Sequence, residues 1–418
     1  MSPLAAFYDA LAARTTVGVK FELARMERFL AASDNPHQRF TSILIAGTNG
    51  KGSVAAMWDA GLRASGRRVG LYTSPHLVHY RERIRVGGEM IGDAAIAALY
   101  DTLLITEQKL GETLTFFEAT TLFAFQHFAA CGVKAAVLEV GMGGRLDATN
   151  VVTPALSVIT TIGHDHQDYL GETLADIARE KAGVLRGGGW GAIGELPLEA
   201  WQAIRTAQPQ AKLLRLGTDV PRGEDDGGWV EFTGYRLRNL QPHLQGPYQA
   251  HNAALFAMSA LLPSALQLSE REIRAGLEAV WPGRYDKRQH DGRTVVIDGA
   301  HNPEGIAALI AALRADASLP LPRTLIFGAL HGRHREAMLP PLAAEFAQVI
   351  VVAPQSPRAM SAAELQRLWP QAVVATSVAD AFARATGKTI CAAGSLYLVG
   401  EVLALLSGDV KDSLADYR

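Results

Sequence analysis

Hydrophobic and polar positions along this chain follow two alternating rhythms. Short unbroken apolar runs, such as Ile43-Leu44-Ile45-Ala46 and Ala135-Ala136-Val137-Leu138, have the length of strands buried on both faces. Between them, apolar residues recur at helical spacing. The pattern predicts strands over 41–47, 68–74, 134–141 and 155–162, with a hairpin around 82–91. Helices are predicted over 52–65, 92–108, 116–131 and 173–185. Residues 187–240, richer in Gly, Trp and charge, read as short strands and turns at the edge of this unit. Helices over 251–265 and 269–280 close it.

The breakers in Trp281-Pro282-Gly283-Arg284-Tyr285 mark a boundary, and beyond it the rhythm restarts. Strands over 294–299, 323–329, 348–353, 372–376 and 389–393 alternate with helices over 304–315, 336–346, 361–369, 378–386 and 396–406. The expected fold is α/β. A P-loop-type, mostly parallel sheet domain over 1–283 precedes a smaller Rossmann-like, doubly wound domain over 284–418. A length of 418 residues agrees with two cores rather than one.

Composition narrows the function classes. The 40 basic and 42 acidic side chains give a net charge of -2, without the basic footprint of a nucleic-acid binder. Cys131 and Cys391 are too few for a disulfide framework and suit a reducing cytoplasm. The segment from Met1 to Leu11 has no basic n-region, and no apolar run approaches the ~18 residues of a membrane span. A cytoplasmic enzyme without membrane or nucleic-acid partners is expected.

The strongest chemical signal follows the first apolar run. Gly47-Thr48-Asn49-Gly50-Lys51-Gly52-Ser53 is a glycine-rich loop between a strand and a helix, an architecture that wraps backbone N–H groups around phosphates. Lys51 offsets phosphate charge, and the Ser53 hydroxyl suits Mg²⁺. The spacing departs from the usual Walker pattern, because Gly52 intervenes between Lys51 and Ser53. ATP or a relative is the expected ligand.

Other polar residues stand at strand ends, where open α/β sheets bind ligands. Glu139 closes an apolar strand, which is costly for a carboxylate unless it is paired or metal-bound. Gly163-His164-Asp165-His166-Gln167-Asp168 follows the next strand, with His166 the favoured ligand of a second Mg²⁺. Lys181 lies on a helix facing the same end. In the second domain, Val295-Val296-Ile297-Asp298 runs into Gly299-Ala300-His301-Asn302-Pro303, placing another acid where it could grip a ribose or a reacting phosphate.

In order along nearly the whole chain, these segments resemble the Mur ligase superfamily, and within it the folylpolyglutamate synthase/dihydrofolate synthase family. The resemblance adds Tyr72-Thr73-Ser74-Pro75-His76-Leu77, Glu82-Arg83-Ile84, Phe117-Glu118-Ala119-Thr120-Thr121 and Gly143-Gly144-Arg145-Leu146-Asp147-Ala148-Thr149-Asn150. Glu180-Lys181-Ala182-Gly183 and Gly394-Ser395-Leu396-Tyr397 complete it. It implies an ATP-dependent ligase that adds L-glutamate to a folate or to dihydropteroate through an acyl phosphate, releasing ADP and phosphate. By the same resemblance, Ser74 and Glu139 hold one Mg²⁺, and Glu139 with His166 a second; K⁺ is a further candidate cation. Lys181 matches a position that often carries an Nζ-carbamate. Asn252, Arg284 and Asp298 resemble the adenosine and γ-phosphate set. His301 is placed near glutamate or phosphate, and Phe117, Thr120 and Asp147 near the pterin, where core packing is the competing reading.

One segment departs from the family. His331-Gly332-Arg333-His334-Arg335 stands where an Asp-Lys-Asp-like run is common, so Arg333 and Arg335 could suit polyanionic tails. Another Mur-type ligase is the alternative, but only about 45 residues precede Gly47, too few for a usual nucleotide-sugar domain. A nucleotide switch is the other alternative, and it would not need the metal set spread over several strand ends. A monomer whose two domains close around the substrates is expected.

Overall fold

Eight strands build the first sheet of the computed structural model, which describes residues 7–8, 10–11, 13–16, 22–332 and 335–412. They are β1 (Thr41–Ala46), β2 (Val69–Tyr72), β3 (Ile84–Val86), β4 (Glu89–Met90), β5 (Ala135–Glu139), β6 (Leu156–Ile159), β7 (Trp190–Ile193) and β8 (Lys212–Arg215). Their order is β4-β3-β2-β5-β1-β6-β7-β8. From β2 to β8 all pairings are parallel, and β3 and β4 double back as the expected hairpin. A small antiparallel sheet follows, made of β9 (Arg222–Gly223), β10 (Trp229–Phe232) and β11 (Tyr235–Arg238).

The third sheet comprises β12 (Asp286–His290), β13 (Arg293–Ile297), β14 (Arg323–Phe327), β15 (Gln348–Val351), β16 (Val373–Val374) and β17 (Thr389–Ala393). It is ordered β12-β13-β17-β14-β15-β16, and only β12 is antiparallel to its neighbour.

The apolar runs work because side chains alternate across a strand. Ile43 and Ile45 join Trp58 and Phe256 on one face, under helices Lys51–Ala64, Tyr248–Leu261 and Glu270–Leu277. Leu44 and Ala46 join Phe29, Phe123 and Phe128 on the other, under helices Leu23–Ala32 and Phe116–Ala130. Each fully buried side chain of this size contributes about 1.5–3 kcal/mol. The third sheet repeats the scheme: Val296 faces helix Pro303–Ala315, while Val295 and Ile297 face helices Val378–Arg384 and Leu396–Ser407.

Chain order reverses at β1, flanked by β5 and β6, and again at β17, which separates β13 from β14. Such switch points open crevices at the carboxyl ends of strands. Gly47–Ser53, Ser74, Glu139 and Thr160–His166 all leave the first sheet at that end, and Asp298–Asn302 and Gly394–Ser395 leave the third.

Four features differ from the sequence reading. Residues 187–240 include β7, β8 and helix Leu198–Ala207, which widen the main sheet rather than merely fringing it. Helix Leu23–Ala32 and strand β12 were not expected. The helix expected over 336–346 shrinks to a 3₁₀ turn, Arg335–Ala337, and helix Leu339–Ala343, where Pro340 and Pro341 cannot supply amide donors. Arg333 and His334 lie outside the described residues.

Candidate active site

The loop from Gly47 to Ser53 is shaped by what surrounds it. Gly50 caps helix Lys51–Ala64 with φ 89, in the left-handed region, and a Cβ there would lie 2.5 Å from Asn252 Oδ1. Backbone and neighbour both require glycine. Two threonines after β6 pin the loop. The Asn49 N–H donates to Thr161 Oγ1 at 2.9 Å, and Thr160 Oγ1 donates to the Asn49 carbonyl at 2.6 Å. Thr48 N–H reaches the Thr161 carbonyl at 2.8 Å, and the Gly163 N–H donates to Thr48 Oγ1 at 3.0 Å. Gly52 sits against the Trp281 indole.

Two ammonium groups converge on the loop. Lys51 Nζ donates to the carbonyls of Gly47 (3.0 Å) and Thr48 (3.1 Å). Lys181 Nζ, on helix Leu174–Ala182 and only 4% exposed, also donates to the Gly47 carbonyl at 3.0 Å. This concentrates positive charge where an anion would sit. Ser53 Oγ accepts from Gln249 Nε2 at 3.2 Å, and Gln249 Oε1 accepts from Asn252 Nδ2 at 2.8 Å. Asn252 thereby lines the loop from helix Tyr248–Leu261.

Glu139 and Ser74 adjoin. The Ser74 N–H donates to Glu139 Oε2 at 3.1 Å, while Ser74 Oγ is buried with no hydrogen-bond partner among the described residues. An orphaned buried hydroxyl beside a buried carboxylate fits a cation. Among the described residues, no three His, Cys, Asp or Glu side chains stand close enough to enclose a metal by themselves. That suits Mg²⁺, which takes one or two protein oxygens and completes its shell with water and phosphate. His166, with φ 52, points its Nε2 to Asp165 Oδ2 at 3.6 Å.

The third sheet meets this face. His301 donates from Nδ1 to the Gly299 carbonyl at 2.7 Å, and its Nε2 lies 3.6 Å from the same Asp165 oxygen. Asn302 and Asn49 exchange amide hydrogen bonds of 3.1 and 3.2 Å, and His164 meets Glu304. Asp298 accepts from the Tyr248 hydroxyl (2.7 Å), the Tyr285 N–H (2.8 Å) and the Ala300 N–H (2.8 Å). Burial and that carboxylate push the Tyr248 phenol well above its usual range. Arg284 reaches back to the Gly283 carbonyl at 3.3 Å and lines the cleft.

The residues expected near the pterin lie on the other side of β5. Phe117 is half-buried, tilted against Tyr72 and packed over Gly141. Thr120 is fully buried: it donates to the Phe116 carbonyl at 2.8 Å and accepts from the Tyr80 hydroxyl at 3.1 Å. Asp147 accepts from the Met142 and Thr149 N–H groups, both at 3.0 Å, so it organises its own loop. Its burial raises the carboxyl pKa against those hydrogen bonds.

A cleft of about 400 Å³ unites the loop, Ser74, Glu139, Asn252, Arg284, Asp298 and His301. A neighbouring cavity of about 140 Å³ carries His166, Arg358, Ser395 and Tyr397, and Asp165 and His301 border both. Sequence reading singled out the loop, Glu139 and Asp298–His301, which line this cleft, and Lys181 and Asn302, which bond to the loop. It missed Thr160, Thr161, Gln249 and Arg358, whose roles depend on distant neighbours.

Residues 45–189 match the Mur ligase middle domain, and residues 283–400 the Mur ligase glutamate ligase domain. The folylpolyglutamate synthase of Lacticaseibacillus casei is 37% identical over 412 residues, covering 92% of this chain and 94% of that protein. Escherichia coli FolC, solved in complex with DHPP and ADP, superposes with a TM-score of 0.87 at 31% identity, covering 97% of this chain and 98% of that one. The bifunctional folylpolyglutamate synthase/dihydrofolate synthase of Yersinia pestis, solved with AMPPNP and Mn, gives 0.86 at 30% identity, covering 97% and 98%. The two matched domains and the similarity over nearly the whole chain make this chain a member of the folylpolyglutamate synthase/dihydrofolate synthase family of Mur ligases, an ATP-dependent carboxylate–amine ligase.

Proposed function

We propose that this enzyme adds L-glutamate both to tetrahydrofolates and to dihydropteroate, in one cleft and through an acyl phosphate. The observation that carries the reading is a continuous cleft joining a cation-rich glycine loop, an orphaned hydroxyl beside Glu139, and the His301 turn. The folate carboxylate attacks the γ-phosphorus of ATP, its new O–P bond replacing the bond to the ADP oxygen. The glutamate amine, having lost a proton, then attacks the acyl carbon, and phosphate leaves.

Each residue has a part in that sequence. Backbone N–H groups of Gly47–Ser53 and the Lys51 ammonium would hold the β- and γ-phosphates. Asn252, Arg284 and Asp298 would receive the adenosine and γ-phosphate end. Ser74 and Glu139 would hold one Mg²⁺, and Glu139 with His166 a second, with K⁺ as a further candidate. Bound there, the metals would neutralise charge on the transferring phosphoryl oxygens. Lys181, carbamylated, would turn from a cation into an anion beside that cluster; unmodified, it neutralises phosphate.

His301 carries its proton on Nδ1, because only a donor satisfies the Gly299 carbonyl. Its Nε2, near Asp165, is therefore the atom suited to take the proton of the incoming ammonium. The 140 Å³ cavity, where Arg358 shares the lining with His164, His166, His301 and His331, suits an amino acid bearing two carboxylates. Phe117, Thr120 and the loop held by Asp147 are the proposed pterin side.

We place the domain division at 283/284 and propose a monomer acting in the cytoplasm, in keeping with two free cysteines and with no described helix long and apolar enough to cross a membrane. The test is ATP-dependent phosphate release with L-glutamate and either dihydropteroate or tetrahydrofolate. Release with both supports the bifunctional reading, and release with one narrows it. Silence with both, while ATP still binds, rejects the folate assignment.

A further inference from the structure

The loop that delivers Ser74 belongs to the first sheet by sequence but is seated on the helical layer of the third. Leu77 and Val78 pack among Leu398, Val399 and Val402 of helix Leu396–Ser407. The Leu77 carbonyl lies so close to Gly400 that a Cβ there would collide with it. Glu82 folds the loop from within, accepting from the N–H groups of Leu77 (2.8 Å), Val78 (2.9 Å) and His79 (2.8 Å).

The chain then returns after that helix to bind the same loop from outside. Asp412 N–H donates to the Val78 carbonyl at 2.9 Å, and Asp412 Oδ2 accepts from the Tyr80 N–H at 2.7 Å. Its other oxygen lies 3.7 Å from His79 Nδ1. Lys411 Nζ donates to the Tyr397 carbonyl at 3.1 Å and stands 5.4 Å over the Tyr397 ring. Tyr397 lines the cavity assigned to the amino acid, and Ser74 lines the cleft assigned to ATP. One short segment thus touches both sides of the reaction. Burial lowers the Lys411 ammonium below its usual range, and the nearby charges of Glu401 and Glu82 oppose that only in part.

We propose that Lys411 and Asp412 are positioning residues, a strap that fixes the Ser74–Arg83 loop on helix Leu396–Ser407 and so sets Ser74 and Glu139 against the His301 side of the cleft. The inference rests on the proposed function only in its kinetic consequence; the strap itself is read without substrates. Asp412 bonds to Val78 and Tyr80, and Lys411 to Tyr397. Their influence runs through the loop backbone and the Tyr397 carbonyl.

The experiment compares Asp412→Ala, Asp412→Asn, Lys411→Met and Lys411→Arg in the full chain. Amide hydrogen exchange at Leu77–His79 is followed without substrates, and kcat and KM come from phosphate release. The Ala and Met variants should speed exchange at these amides while β1 amides stay protected. They should also lower kcat/KM about tenfold or more, mainly through kcat. Asp412→Asn keeps an acceptor for the Tyr80 N–H, and Lys411→Arg keeps the cation, so both should recover most of the loss. Parent-like exchange overturns the strap. Faster exchange with unchanged kcat overturns its positioning role. Were the parent itself silent with folates, the reading of the cleft would fall while the exchange data still decided the strap.

Discussion

The contact between the loop and the third sheet offers a quantitative test of how the two halves cooperate. Asn49 and Asn302 exchange amide hydrogen bonds of 3.1 and 3.2 Å, and Asn302 Oδ1 also accepts the Gly305 N–H at 2.8 Å as the cap of helix Pro303–Ala315. Asn302 is 3% exposed, so water is a poor substitute for these partners. Replacing Asn49 by Ala removes the reciprocal pair alone, two bonds of about 0.5–1.5 kcal/mol each, hence about 1–3 kcal/mol. Replacing Asn302 by Ala removes the same pair and the cap, worth about 1 kcal/mol more. The double variant cannot lose the pair twice. A cycle built on kcat/KM should therefore show coupling of about 1–3 kcal/mol, roughly 5- to 150-fold less loss than the two singles multiplied together. Asn302→Asp separates the terms, because it keeps the cap but sets an oxygen against Asn49 Oδ1. It should behave like Asn49→Ala in kinetics and like the parent in helix stability. If the losses in the double variant equal the product of the single losses, the pair does not hold the reactive arrangement together.

Three further outcomes follow from the geometry. Ser74→Ala removes a buried hydroxyl that has no partner among the described residues, so the ligand-free protein should gain stability of about 1 kcal/mol while Mn²⁺ binding by calorimetry weakens; lost stability with intact metal affinity would refute the reading. A carbamate on Lys181 predicts slower turnover in buffer freed of CO₂, restored by bicarbonate, and a carbamate carbon signal with ¹³C-bicarbonate. Equal rates in both buffers would remove the modification from the scheme. Burial, with the Arg83, Lys411 and His79 charges, holds the imidazole of His76 well below its usual range, so it stays neutral in the fold. Unfolded, it titrates near ~6.5, and the unfolded chain then binds more protons, so its contribution is complete above that pH and is lost as pH falls. His76→Gln keeps an acceptor for Arg83 Nε, now bonded at 2.8 Å, and should flatten the acid side of the stability profile; an unchanged slope counts against it.

What was legible in the sequence follows from what burial demands. The strands β1, β5 and β13 are readable because both faces are covered, so each carries an unbroken run of three or four apolar residues. By contrast, β12 is Asp-Lys-Arg-Gln-His, an antiparallel edge with only partial burial and no apolar period. Helix Leu23–Ala32 hides its inward face because Arg25 lies on it, neutralised by a bidentate pair with Glu118 at 2.8 Å. A sequence pattern scores that arginine as surface. Helix Leu198–Ala207 lies between glycine-rich segments whose composition argued for turns.

The candidate site divides along the same line. A carboxylate at the end of an apolar strand is expensive enough to announce itself, and Glu139 and Asp298 did so from one-dimensional pattern alone. Partnership is different. Asn49 and Asn302 are 253 residues apart, and neither has a local pattern that sets it off from an ordinary loop or cap asparagine. The same holds for Thr160 and Thr161, whose hydroxyls shape the loop from across the sheet. Asp147 and Thr120 show the converse: polar residues within a motif, their hydrogen bonds go largely to building the wall around them. Groups that meet charge are therefore visible from sequence through their local cost. Groups that hold those residues in register acquire their meaning only from the fold, and in this chain they run from Asn49 to Asp412, at the joint where the first and third sheets meet.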